Sequence, residues 1–524
     1  MYPLFASNSN KKRISSFNIM NNFSRESGVL LHLTSLPGPH GIGDLGQSAF
    51  QFIDQLEQMG QKLWQILPSG QPDNCYSPYS TISAFCNNPL LISLDLLCED
   101  GYIEKKELNR CPNFPKEKVD YKAVELFKIP LLQKAADRFQ RNATSDEIKS
   151  YQSFCNANNY WFDDYTLFII LRSLEDGKQW SDWSEAFAMR DAQTLAQIRL
   201  DYYRKIENIK ILQYFFYMQW RGLKEYANKQ GIRIIGDIPI YISYNSADVW
   251  SNRNLFKLDG DGRMMAQSGC PPDDFIKEGQ IWGHPIYNWA QHKDSGYEWW
   301  IARLKYLFEF VNIIRIDHFN GFAKYWEVNV DDSNGMRGQW IEGPGEPFFQ
   351  AVNTALGDRP IIAENLGEAS INAAPIMEKF NIPGIIILQM TFKEKEKPSP
   401  VSENMVVYTG THDNDTIIGR FNSMNSNGHP VQSELELKAE RDRALSFFNS
   451  DGSNIHWNFI KLALDSEARM VITPLQDILG LGTESRMNIP GTVGNNWEWR
   501  YSEDLLLPEM VEKMRSLIKN SGRI

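Results

Sequence analysis

Eight short β-branched or apolar runs, each closed by polar or charged residues, punctuate the chain: GVLLHLTSL (28–36), KLWQILPS (62–69), RIIGDIPIYI (233–242), NIIRIDHF (312–319), PIIAENLG (360–367), GIIILQM (384–390), NMVVYTGTHD (404–413) and RMVITPLQD (469–477). Near-continuous apolar character marks strands buried on both faces, since a strand with one wet face would alternate. The segments between the runs are long enough for crossover helices. The pattern therefore predicts an α/β fold, a parallel (β/α)8 TIM barrel. Two gaps exceed what a single crossover requires. Residues of about 95–230 place apolar positions at helical spacing, as in AVELFKIPLLQKAADRFQ, and predict an inserted helical subdomain. Residues of about 243–300 carry Gly, Pro and aromatics without strong periodicity and predict a loop-rich insertion over one barrel end. About 47 residues follow the eighth run, enough for one or two closing helices and too few for a C-terminal β-sandwich. The barrel is expected over 28–524, after a weakly ordered extension over 1–27.

With 524 residues, 42% of them hydrophobic, the chain can bury one large core, which argues against a small binding module. A net charge of -11 gives no electrostatic reason to bind nucleic acid or an anionic membrane. No stretch approaches twenty apolar residues. Cys75, Cys86, Cys98, Cys111, Cys155 and Cys270 show no C-x-x-C spacing and read as reduced thiols, as in a cytoplasmic protein. The first 25 residues are rich in Asn and Ser, with Lys11, Lys12, Arg13 and Arg25 and no acid. That composition matches an organelle transit peptide, with a plastid or other organelle as the alternative location, but a disordered extension is the simpler reading.

In such a barrel the active site lies at the C-terminal ends of the strands. Four acids close apolar runs there: Asp237 in GDIP, Asp317 in RIDH, Glu364 in IAEN and Asp413 in GTHD. One acid at a strand end is more often a cap or an ion-pair partner; four together point to chemistry. Cleavage of a glycosidic bond needs one acid to protonate the leaving oxygen and a second carboxylate for the oxocarbenium-like centre. Arg315 precedes Asp317 by two residues, so on a strand both face the same way and the guanidinium favours an ionised Asp317 as nucleophile. Glu364 has no such neighbour in sequence and can hold a proton as the acid.

RIDHF, AENLG and THDND, preceded by GDIPIYI, occur in the order found in the α-amylase clan. The closer resemblance is to the 4-α-glucanotransferases, or amylomaltases, of glycoside hydrolase family 77. It runs from SGVLLHLTSLPGPHGIGDLG through WQILP, SPYS, NPLLISL, PPDDF and GQIWGHPIYNW to LQDILGLG, RMNIPGT and NNWEWR. The resemblance implies a retaining transfer of α-1,4-glucan segments between maltooligosaccharides, with glucose as an acceptor and no metal or organic cofactor. It casts Asp317 as nucleophile, Glu364 as general acid/base and Asp413 as the third acid, with Arg315, His318 and His412 lining the reacting subsite. Trp282 and Tyr79 are candidate sugar platforms. Asp237 and Gln280 are candidates for glucose hydroxyls, each of which could equally hold a loop.

GIGDLG (41–46) satisfies G-x-G-x-x-G, but no acid closes the next strand where a ribose ligand would be needed, so it reads as the first barrel loop. LDGDGR (258–263) has Arg263 at a ligand position of a calcium loop and reads as a turn. The chain departs from the family at Asn74, Cys75 and Tyr76 before SPY, at Leu33, at His284 in WGHP and at Asn365 in AENLG. None of these is a proposed catalytic carboxylate. Two alternatives remain open: an α-1,4-glucan hydrolase using the same acids, and a catalytically silent glucan-binding barrel.

Overall fold

The computed structural model describes residues 24–272, 277–367, 369–392, 401–422 and 434–523. Its strands are β1 (Glu26–Leu30), β2 (Leu63–Gln65), β3 (Arg233–Pro239), β4 (Gln267–Cys270), β5 (Gln280–Pro285), β6 (Ile313–Asp317), β7 (Lys324–Val328), β8 (Gly338–Glu342), β9 (Ile361–Ala363), β10 (Gly384–Ile387), β11 (Met405–Tyr408) and β12 (Met470–Pro474). Eight of them, β1, β2, β3, β6, β9, β10, β11 and β12, form a closed parallel barrel. Each falls on one of the eight apolar runs. Closure comes from β1 against β12, paired from Glu26↔Met470 to Leu30↔Pro474. Ile235, Ile314, Ile362, Val407 and Ile472, from five of these strands, are fully buried. Burial on this scale is worth about 1.5–3 kcal/mol per side chain, which is why unbroken apolar runs choose this fold.

The first strand begins at Glu26, inside the stretch expected as extension, because Glu26 already pairs with Met470 and is held by the Arg233 guanidinium. Residues 1–23 of the predicted extension lie outside the described residues.

Between β2 and β3 the chain is helical, with long helices Tyr121–Asn142, Ser145–Ala157, Asn159–Leu174 and Tyr203–Lys229. Local signals set their starts: the Asp120 carboxylate accepts from Ala123 N at 3.0 Å, and Thr144 and Glu147 form a capping box. Two glutamine side chains of Tyr203–Lys229 clamp the insert to the loop after β2. Gln213 exchanges two hydrogen bonds with the Asn87 backbone, both 2.8 Å, and Gln219 does the same with Ser93 at 2.7 and 3.1 Å.

The 243–300 segment is more ordered than a loop. It contributes β4 and β5 to a four-stranded antiparallel sheet of order β5-β4-β7-β8. Short strands such as QSGC carry almost no periodic signal, and their partners β7 and β8 come from beyond Asp317. LDGDGR is a turn closed by an isolated bridge between Leu258 and Met264, with Arg263 paired to Asp182 at 2.7 Å. After β12 come the helices Leu475–Leu479 and Pro508–Asn520.

GIGDLG serves packing. A Cβ at Gly43 would fall 2.0 Å from the Leu33 carbonyl oxygen. Asp44 accepts from Gly46 N at 2.9 Å and from Lys128 Nζ at 3.2 Å, the lysine side chain being wholly buried. Lys128 thus ties the first barrel loop to the helical insert. Breaking a buried pair leaves an uncompensated charge, so Lys128→Met should lower stability by about 3–5 kcal/mol, read from urea unfolding. Adding Asp44→Asn should recover part of the loss; an unchanged midpoint in the single variant would refute the assigned role.

Candidate active site

Parallel register brings the strand-end acids together. Asp237 on β3 lies opposite Arg315 on β6, and Ile316 on β6 lies opposite Ala363 on β9, so Asp317 and Glu364 follow side by side. Arg315 Nη1 donates to Asp237 Oδ1 and Oδ2 at 2.8 and 2.7 Å and to Asp317 Oδ1 at 3.0 Å. The Asp237 side chain is fully buried, whereas 27% of the Asp317 side chain remains open. Burial works against the Arg315 charge, but the two carboxylates outweigh it and hold its pKa well above the ordinary value.

Glu364 is positioned by backbone. The His318 N–H donates to Oε2 at 2.7 Å and the Leu366 N–H to Oε1 at 3.1 Å. His318 adopts a left-handed conformation with φ 50°, uncommon for a residue with a Cβ. That turn aims its amide at Glu364 directly after Asp317. Burial first, and the neighbouring Asp317 charge second, push the Glu364 carboxyl up to about 7, against Arg315 and the two amides. Burial lowers the His318 imidazole to about 4 despite Asp317, so the ring is neutral near pH 7. Its Nε2 has no partner among the described residues.

Asp413 follows β11 in the loop THDND. His412 Nε2 lies 3.2 Å from Oδ2, and the Asn488 amide donates to Oδ1 at 2.6 Å. Arg486 Nη2 donates to the Asp413 carbonyl at 2.6 Å. Burial favours a proton on Asp413, but His412, Asn488 and Arg315 overcome it and bring the carboxyl down to about 2. The partner shift is reciprocal: burial disfavours charge on His412, yet Asp413 raises its pKa.

Two aromatic walls complete the cleft. Tyr79 stacks on His412 at 5.0 Å and donates its hydroxyl to Asp237 Oδ2 at 2.9 Å. Against His318, β5 presents Gln280 and Trp282, joined by a 3.1 Å bond from the indole N–H, with Trp282 edge-on to the His318 ring at 4.8 Å. The structure thus links Asp237, Arg315, Asp317, His318, Glu364, His412, Asp413, Tyr79, Gln280 and Trp282 through direct contacts. Asp237 is turned to Arg315 and Tyr79, beneath the cleft surface. Sequence reasoning missed Asn488, Arg486 and Trp497, the last packed on Tyr79 and His412 at 5.8 Å each. None ends an apolar run; only their place in RMNIPGT and NNWEWR pointed to them.

The family model of 4-alpha-glucanotransferases, glycoside hydrolase family 77, matches residues 31–506. The chain belongs to this family. Among its curated relatives, the 4-alpha-glucanotransferase of Synechocystis sp. is 40% identical over 92% of this chain and 95% of its own length. The 4-alpha-glucanotransferase, chloroplastic/amyloplastic, of Solanum tuberosum is 36% identical over 96% of this chain and 87% of its own. The solved amylomaltase from Streptococcus agalactiae in complex with acarbose superposes with TM-score 0.89 at 36% identity, covering 95% of this chain and 99% of that one. Each of the three lies far above the level at which only a fold is shared.

The divided environments of the glucanotransferase cleft are testable directly. Asp317 carries negative charge beside Glu364 and raises its pKa, so Asp317→Asn should move the Glu364 titration below about 7. Carboxyl difference infrared spectroscopy as a function of pH reads that shift; an unmoved titration would contradict the electrostatic coupling.

Proposed function

We propose that this chain moves α-1,4-glucan segments by double displacement, with Asp317 as nucleophile and Glu364 as acid and then base. The observation that carries the reading is the contrast between the two: Asp317 is ion-paired with Arg315, whereas half-buried Glu364 makes no ion pair among the described residues and its carboxyl is pushed up to about 7. Asp317 attacks the anomeric carbon while Glu364 protonates the departing 4-oxygen, leaving a glucosyl-enzyme and a released glucan. Glu364, now a carboxylate, takes the proton from the 4-hydroxyl of glucose or another glucan, which attacks the same carbon and restores the α configuration. Asp413, kept ionised by His412 and Asn488, accepts from sugar hydroxyls and favours the distorted ring. His318 offers its free nitrogen to the same ring, and Tyr79, Trp282 and Gln280 hold its faces and hydroxyls. Asp237 acts through Arg315 and Tyr79.

Transfer prevails where the acceptor is bound and water is limited at the intermediate. Strand β5, bearing GQIWGHP, supports that role because it stands against His318 through Trp282. We place the reaction in the cytoplasm, with a plastid as the alternative. The pI-lowering net charge of -11 and the scattered cysteines favour neither secretion nor a membrane surface. No described helix is long and apolar enough to cross a membrane.

Incubation of the purified protein with maltotriose alone, followed by chromatography, should yield glucose with maltopentaose and longer chains. Glucose and maltose without longer products would mean hydrolysis, and no change would mean a silent barrel. Asp317→Ala should cut transfer by roughly 10³-fold or more while thermal unfolding changes little, because Arg315 keeps Asp237 as partner. Near wild-type turnover in that variant would overturn the assignment. The acid form of Glu364 is lost above its pKa, so kcat/KM for the donor should fall about tenfold per pH unit above about 7; a flat profile to pH 9 would exclude Glu364 as the acid.

A further inference from the structure

Apart from the residues that meet at the barrel mouth, three helices of the insert, Tyr121–Asn142, Ser145–Ala157 and Tyr203–Lys229, enclose a groove of about 490 Å³. That volume is in the range of small-ligand sites. Ile148, Tyr151, Gln152, Cys155 and Asn156 line it at three- and four-residue intervals, so one whole face of Ser145–Ala157 turns toward it. The opposite wall begins with Tyr203, whose side chain stays 63% exposed, and Ile148 is 41% exposed. Leaving an aromatic and an aliphatic side chain open beside exposed Gln152 and Asn156 gives a mixed lining: flat apolar surface next to amide donors and acceptors. Glu207 adds a carboxylate that accepts from the Tyr151 hydroxyl at 2.8 Å.

The charges narrow the ligand. Lys210, the one cation of the lining, is neutralised by Asp163 at 2.7 Å, and Glu207 is acidic. A phosphorylated or carboxylate ligand would meet an uncompensated acid there. A neutral polyhydroxyl ring suits it: its C–H face covers an aromatic ring while its hydroxyls exchange bonds with amides and carboxylate. From this we infer that the groove is a second, non-catalytic glucan-binding site, an inference that rests on an α-1,4-glucan being the substrate. A long chain held there keeps its free end near the enzyme and raises the local donor concentration at the barrel mouth, an advantage unavailable to a trisaccharide.

The test uses the full chain and two surface variants, Tyr203→Ala and the double variant Gln152→Ala with Asn156→Ala. Both should raise KM for amylose by about five- to tenfold while leaving kcat and KM for maltotriose unchanged. In an Asp317→Asn background, titration calorimetry with maltoheptaose should resolve two sites, and adding Tyr203→Ala should leave one. Unaltered amylose kinetics in both variants, an equal loss on maltotriose, or a site count that does not respond to Tyr203 would each overturn the second site. Absence of any transfer by the parent enzyme would instead strike at the substrate reading itself, so the two failures are distinguishable.

Discussion

The Arg315 guanidinium, buried between Asp237 and Asp317, organises the barrel mouth. The Arg315 and Asp237 groups taken out of water, with Asp317 partly so, carry a heavy desolvation penalty, which only close geometry and further hydrogen bonds offset. Both are present: two bonds of 2.8 and 2.7 Å to Asp237, one of 3.0 Å to Asp317, and the Tyr79 hydroxyl on Asp237. The contacts exist because parallel register sets Asp237 opposite Arg315, and because residues two apart on β6 share a face. Tyr79 in turn stacks on His412, so the same ion cluster orients the far side of the cleft.

From that anchor the three other carboxylates at the barrel mouth, Asp317, Asp413 and Glu364, acquire different characters. Asp317 has a cation at hand. Asp413 has His412 and Asn488, and stays ionised down to about pH 2. Glu364 has no ion pair among the described residues; Arg315 and two backbone amides do not outweigh burial and the charge of Asp317, and its carboxyl is pushed up to about 7. A fold that supplied equal partners to all three would have no acid at neutral pH. The left-handed turn at His318 is part of this division, since it supplies an amide to Glu364 and turns a neutral ring toward Trp282.

The insertions extend the barrel on rigid supports. Gln213 and Gln219 fasten the helical insert to the loop after β2 through paired amide–backbone bonds, and buried Lys128 fastens it to the first barrel loop. The small sheet does the equivalent on the other wall, where β5 carries Gln280 and Trp282 beside β4. A substrate-binding surface built on such elements keeps its shape without a ligand, which suits stacking interactions that depend on the angle of a ring.

The barrel was legible because its strands are buried on both faces: IIRID and RMVITP carry their burial in composition, and Asp317 and Glu364 stand where apolar runs stop. Likewise the i, i+2 relation of Arg315 and Asp317 is a property of any strand. Nothing comparable marks β4 and β5, which are four and six residues long and mix polar residues with Gly, so the segment over 243–300 read as loop-rich. Asp237 read as a candidate either for sugar hydroxyls or for holding a loop; that its carboxylate faces Arg315 depends on register with another strand, which no local pattern carries. Asn488 and Trp497 lie 75 and 85 positions beyond Asp413 and His412, too remote for a local pattern to connect them. Sequence by itself determined the barrel, the order of its acids and the family, because burial and strand periodicity act between near neighbours. Tertiary structure alone decided which acid keeps its proton and which partners hold it, because desolvation and charge coupling depend on contacts between segments 46 to 78 residues apart in the chain.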